Sequence, residues 1–191
     1  VIRNGMDDLF FQRMKKNVFK KELGITKKMI LFFGRLHPTK APDMFVRLAH
    51  GILSKRKDLD FVIVGPDEGE MQRVKEMVGK ETQIHVYGSL RGKEKIAQMY
   101  QDATVYVIPS YREGLPLTLF EAMASGLPIV ATPCNGIPYE MEDGIHGFLV
   151  PYGDLALLEK RVLQLVDDPS LAQVISERNR KKAAAYTWDV I

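Results

Sequence analysis

Short apolar runs recur along the chain at Met29–Phe33, Phe61–Val64, Ile84–Tyr87, Val105–Ile108, Ile129–Ala131 and Phe148–Val150. They are continuous rather than alternating, as strands buried on both faces are. Between them lie amphipathic stretches with helical spacing, roughly Asp43–Lys55, Glu70–Val78, Lys93–Gln101 and Leu117–Ala124. Two more, near Asp154–Val166 and Pro169–Ala185, follow the last strand. Strand and helix in strict alternation predict a parallel sheet with helices on both faces, because right-handed crossovers put them there. The expected fold class is α/β, a Rossmann-like doubly wound sheet. No internal repeat, low-complexity stretch or linker interrupts the pattern, so residues 1–191 read as one domain.

Composition narrows the classes. Hydrophobic residues make up 46% and charged residues 27% of the chain, a balance that argues against general disorder. The apolar runs are far shorter than a membrane-spanning helix needs. Cys134 is the only cysteine, so no internal disulfide forms and the chain fits a reducing, cytoplasmic compartment. A net charge of +3 suits anionic ligands without demanding them. The basic clusters, Lys15-Lys16 with Lys20-Lys21 and Arg178–Lys182, fall on helical patterns and read as solvated faces. No aromatic RNA-binding motif or zinc module is present, so nucleic acid is a poor partner.

Open α/β sheets bind ligands beyond the carboxyl ends of their strands. Those ends read Gly34-Arg35, Gly65-Pro66, Gly88-Ser89 and Pro109-Ser110. Arg35 follows the first strong strand and Lys40 precedes the next helix, which puts two cations over the ligand edge. A guanidinium fork and an ammonium suit diphosphate oxygens; for an isolated pair, solvated surface charge is an equal reading. Downstream, Glu113-Gly114-Leu115-Pro116-Leu117-Thr118 leads into a helix that carries Glu121. Pro116 is expected in the first turn, with the free amides of Leu117 and Thr118 facing the ligand edge as an anion site. The two carboxylates bracket that site and suit sugar and ribose hydroxyls. Asp58-Leu59-Asp60 spells a D-x-D but precedes a strand, at the wrong end of the sheet, and reads as loop. His37, His50, His85 and His146 lack metal-ligand spacing, and no G-x-G-x-x-G follows a strand. Cys134 reads as structural rather than nucleophilic.

With these residues in place, a family resemblance emerges. Glu113 and Glu121, separated by seven residues, resemble the E-x7-E signature of group 1 retaining glycosyltransferases. Gly34-Arg35 with Lys40 is similar to that family's G-R-x4-K diphosphate clamp. Val1-Ile2-Arg3-Asn4-Gly5-Met6-Asp7 resembles its interdomain segment, V-I-x-N-G-[IV]-D. Ala131-Thr132, Asn135-Gly136-Ile137-Pro138, Glu142-Asp143-Gly144 and Gly147–Val150 resemble its late glycine-rich region. The matches run in order over nearly the whole chain. Ala41 stands where glycine commonly follows the lysine, Asn135 replaces the first of a usual glycine pair, and Tyr139 intervenes before Glu140. Asn135 is expected to alter its own loop without touching the clamp or the glutamates.

The resemblance implies the C-terminal half of a GT-B enzyme, two Rossmann-like domains facing across a cleft. It implies a nucleoside diphosphate sugar as donor, an acceptor held by an N-terminal domain, and transfer with retention. In that picture Glu113, Arg35 and Lys40 are the catalytic set. Gly34, Arg35, Lys40, Ser89, Leu90, Glu113, Gly114, Leu115, Leu117, Thr118 and Glu121 hold the donor. Ser89 and Leu90 contact the base, Glu113 the sugar and Glu121 the ribose. No cofactor or metal is required, since the protein supplies the positive field. The start without Met and the closing Tyr186–Ile191, which resembles the family's F-[ST]-W region, fit a fragment cut from both connections to the N-terminal domain and inactive alone. The implied setting is the cytoplasm or the cytoplasmic membrane face, with peripheral membrane association open for the whole protein. Two alternatives stand: a non-hydrolysing sugar-nucleotide epimerase, and a non-catalytic nucleotide-binding module.

Overall fold

A computed structural model describes residues 7–114 and 116–186. Leu115, the interdomain-like residues 1–6 and the closing residues 187–191 lie outside the described residues. Six strands, β1 (Lys28–Phe33), β2 (Leu59–Val64), β3 (Ile84–Gly88), β4 (Val105–Ile108), β5 (Ile129–Ala131) and β6 (Gly147–Leu149), form one parallel sheet in the order β3-β2-β1-β4-β5-β6. Each expected apolar run became a strand.

Alternate residues of each strand feed two separate cores. Met29, Leu31, Val62, Tyr106 and Ile129 enter one. Ile30, Phe32, Phe61, Val107 and Val130 enter the other. The period of two sends neighbours to opposite faces, and both faces are covered, so the runs had to be continuously apolar. The first core packs against α1 (Val18–Glu22), α4 (Lys93–Asp102), α5 (Leu117–Ala124) and α8 (Pro169–Ala183). The second packs against α2 (Pro42–Leu53), α3 (Met71–Val78) and α7 (Leu155–Asp167).

Some local structure differs from the sequence expectation. β2 begins at Leu59, so Asp60 is a strand residue and not loop. Its register against Met29 of β1 extends the ladder, and its carboxylate lies 3.3 Å from His85 Nε2. The short helices α1 and α6 (Ile137–Glu140), and the 3-10 turns Asp8–Phe11, Pro38–Lys40 and Ala184–Tyr186, are too brief to leave a periodic signal. Pro116 is the N-cap of α5, one residue earlier than expected, with extended backbone at ψ 116°.

Buried Asp102, the last residue of α4, holds α1 in place. Its carboxylate accepts from the amides of Asn17 (2.6 Å), Phe19 (2.8 Å) and Lys20 (3.3 Å), and from Gln98 Nε2 (3.1 Å). The first amides of a helix have no partner within it, and one carboxylate here serves several of them. Asp102→Ala strands buried amides and should lower the unfolding free energy by about 3 kcal/mol. Urea titration against the wild type measures this, and a change below experimental scatter would show that water serves those amides equally well.

Candidate functional site

The strand order makes β1 and β4 neighbours while their chains turn away to opposite sides, β1 towards β2 and β4 towards β5. Such a switch point opens a crevice at the carboxyl ends of the strands. A cavity of about 280 Å³ lies there. Its wall includes Gly34, Arg35, Lys40, Glu113, Gly114, Leu117 and Thr118, residues the sequence had placed at a ligand edge.

Two close backbone approaches shape the β1 side. Gly34 N–H donates to Val64 O at 3.0 Å, and a Cβ on Gly65 would lie 1.7 Å from Gly34 O. Only glycine fits at position 65, which fixes where Arg35 leaves the strand. Arg35 reaches Glu68 at 2.9 Å, an exposed pair that holds the guanidinium at the cavity mouth. Next, His37 Nδ1 accepts from Thr39 N at 3.2 Å and caps the 3-10 turn ending at Lys40. Thr39 O accepts the Tyr111 amide at 3.1 Å, tying this turn to the loop after β4.

Glu113 is the anchor of the opposite side. It is 8% exposed, accepts from Ser110 Oγ at 2.6 Å, and forms a short ion pair with Lys40. Its own amide donates to Asn135 Oδ1 at 3.1 Å. Asn135 therefore does touch a glutamate, against the expectation that its loop stands apart. The reason lies in the sheet: β4 and β5 are neighbours, so the loops that leave them meet. Thr132 Oγ1 and Cys134 Sγ both donate to Ser110 O, the latter at 3.3 Å. Burial raises the Cys134 pKa, which keeps the thiol protonated and suits a structural role.

Glu121, Ser89 and Leu90 do not reach this cavity. The half-buried Glu121 lies behind Thr118 on α5 and accepts from Tyr100 Oη at 3.2 Å. The same hydroxyl approaches Thr118 O at 3.3 Å. Desolvation raises the Glu121 pKa, while Tyr100 and Lys93 pull it down. Leu90 is 9% exposed with its side chain in the core, and Ser89 is exposed after the left-handed Gly88 (φ 82°). Sequence reasoning missed the roles of Tyr100, Ser110, Asn135 and His37. Ser110 had a signal as the residue at a strand end, and Asn135 as a departure from a glycine pair.

These features define a Rossmann-like α/β domain of the GT-B kind, with a cation-lined crevice at its switch point. The chain belongs to the group 1 glycosyl transferases, whose family model matches residues 14–182. It is 30% identical over 169 residues to D-inositol 3-phosphate glycosyltransferase from Streptomyces avermitilis, a match covering 83% of this chain and 36% of that protein. The enzyme of the same name from Actinosynnema mirum is 27% identical over 99% of this chain and 48% of its own length. The chain thus spans less than half the length of either relative. The C-terminal domain of LpcC, a group 1 family protein from Francisella tularensis, superposes with a TM-score of 0.85 at 25% identity, covering 96% of this chain and all of that one. Alr3699/HepE from Anabaena, solved with UDP-glucose, shares the fold at a TM-score of 0.82 and 22% identity, covering 96% of this chain and 52% of its own.

The raised pKa of Glu121 carries a stability signature. A carboxyl whose pKa is higher folded than unfolded stabilises the fold below its unfolded value and loses that contribution as pH rises through the folded value. Glu121→Gln removes the desolvated charge and keeps an acceptor for Tyr100. Its stability relative to wild type should therefore rise from acid to neutral pH. Urea unfolding of both proteins at several pH values tests the sign, and a stability of the variant relative to wild type that falls from acid to neutral pH contradicts it.

Proposed function

We propose that this chain binds a nucleoside diphosphate sugar and, in the whole protein, passes the sugar with retention to an acceptor hydroxyl. The observation that carries this reading is the crevice between β1 and β4, a space of about 280 Å³ lined by Arg35, the Lys40–Glu113 ion pair and the start of α5. Cleavage of a glycosidic bond to a diphosphate leaves negative charge on the diphosphate. Arg35 and Lys40 supply positive charge there, and the first amides of α5, at Leu117 and Thr118, lack partners inside the helix. The helix dipole adds to the same field. Glu113, already oriented by Ser110 and Asn135, accepts from donor sugar hydroxyls. Glu121 accepts from ribose hydroxyls, with Tyr100 setting its position. Leu115, between Glu113 and α5, belongs to the same assignment. Ser89 and Leu90 contact the base through the backbone of their turn, since the Leu90 side chain is committed to the core.

The family match favours transfer over epimerisation or simple binding, and the relatives named above are glycosyltransferases. The acceptor belongs to a second domain across the cleft, so the 191 residues alone should not turn over. Holding two reactants together contributes roughly 7–11 kcal/mol towards the barrier, and one wall of a cleft cannot do that. The positive field is the protein's own, so no metal or other cofactor is required. The cytoplasm, or the cytoplasmic face of a membrane, is the setting in which we place the reaction.

Two expected outcomes test this reading. Arg35→Ala and Lys40→Ala should each weaken a nucleoside diphosphate more than the bare nucleoside, by about 1.5–3 kcal/mol in calorimetric titration. Lys40→Ala also leaves Glu113 buried without its cation, which costs stability on the order of 3 kcal/mol; the diphosphate-to-nucleoside comparison cancels that loss. Equal weakening of both ligands refutes the clamp. In the second test, Glu121→Gln weakens the bare nucleotide, whereas Glu113→Gln spares it and reduces binding of the sugar-bearing donor. Titration with a panel of nucleotide sugars reads out both and identifies base and sugar. The reverse pattern would falsify the assignment.

A further inference from the structure

A second cavity, about 550 Å³, lies at the other end of the sheet, beside the residues that lead into β4 and β5. Ala103, Leu127 and Pro128 form its floor. Arg13, Lys16 and Arg180 bring three cations to its wall, and among the described residues none of them has a carboxylate partner. One carboxylate, Glu177, also lines it and accepts from Gln173 Nε2 at 2.7 Å on its own helix, which leaves the three cations in excess.

Arg180 is built in. Its Nη2 donates to Ser125 O at 2.9 Å and its Nη1 to Phe11 O at 3.4 Å, so backbone carbonyls fix the guanidinium without neutralising it. Gly126, at φ 73°, makes room for it: a Cβ there would lie 2.4 Å from Arg180 Nε. The buried hydroxyl of Ser125, another wall residue, has no hydrogen-bond partner among the described residues.

A half-buried guanidinium without a counterion, with two exposed cations beside it, opposes folding, and an anion between them removes that opposition. We propose that Arg13, Lys16 and Arg180 form a second anion site, remote from the nucleotide crevice, that takes a phosphate group. Guanidinium forks match phosphate oxygens, and an ammonium adds a point charge. Burial and the nearby Arg13 both depress the Arg180 pKa, the electrostatic mark of an unrelieved pair. The two cavities share no wall residue, and none of Arg13, Lys16 and Arg180 has a part in the donor assignment.

The test is a titration of the 191-residue chain with inorganic pyrophosphate, followed by amide chemical shifts. Saturable shifts at Ser125, Gly126 and Ser176 are expected, weakened at least tenfold by Arg13→Gln with Lys16→Gln and retained by Arg13→Lys with Lys16→Arg. Both side chains are exposed, so neither pair should disturb the fold, and the melting temperature checks that. Arg35→Ala should leave these shifts unchanged while reducing any in the crevice. A parallel sedimentation with phosphatidylglycerol vesicles separates the sources: pelleting that depends on Arg13 and Lys16, without soluble binding, makes the phosphate a lipid headgroup. If neither pyrophosphate nor vesicles bind in a way that depends on Arg13 and Lys16, the proposal is overturned.

Discussion

The crevice depends on one constraint: β1 and β4 lie side by side, yet their chains must diverge. Every other feature of the site follows from how that gap is spanned. The Lys40–Glu113 pair is the main tie, since it joins the turn after β1 to the loop after β4. The Tyr111 amide on Thr39 O runs the same way, and Asn135 extends the link to the loop after β5. Three loops that separate in the chain are thus held as one rim, with the start of α5 beneath it. Groups that are fixed before a ligand arrives lose little entropy when it binds, which is how a rigid rim contributes to affinity.

Sheet and crevice were readable for the same reason: both rest on local patterns. A fully buried parallel strand needs an unbroken apolar run, as in β2 and β4; each run here became a strand, the edge strand β3 with His85 in it and only partly buried. Glycine at a strand end marks a tight turn, and at Gly65 the close approach of Gly34 explains the requirement. Residues that act through long-range contact left no such mark. Tyr100 sits in an amphipathic pattern that equally suits a plain core residue, and its hydroxyl reaches Glu121 only once α4 and α5 pack. Asp102 likewise looks like a helix-end acid until α1 settles on it. Glu121 and Leu90 show the converse limit. Their motif positions were plain, but their side chains point into packing that sequence spacing cannot describe.

The two departures from the family's glycine pattern have a common physical basis. Ala41 stands at φ 49° and Asn135 at φ 47°, both in the left-handed region. The backbone conformation that favours glycine is therefore kept even where glycine is not. Asparagine tolerates it well. Alanine bears strain there, of order 1–3 kcal/mol, which persists only where the surroundings fix the backbone. Ala41 is fully buried between the Lys40 turn and α2, and that packing supplies the fixation. Asn135 gains something glycine lacks, a side-chain oxygen for the Glu113 amide.

The pairing of Lys40 with Glu113 also shapes how the crevice can use its charge. A buried carboxylate beside the ammonium partly cancels the field that an anion would meet there. Removing Glu113 to strengthen that field would be costly in another way, because the ammonium would lose the group that holds it between two loops. Arg35 escapes this conflict, since Glu68 holds it in the open, where water already screens the pair. Such an exposed pair is worth little, so Arg35 can leave Glu68 for an anion at small expense. Lys40 instead stays with Glu113, and an incoming anion shares it. The crevice thus joins one mobile cation to one fixed cation. The fixed one keeps its place through a carboxylate whose other oxygen accepts from Ser110 Oγ.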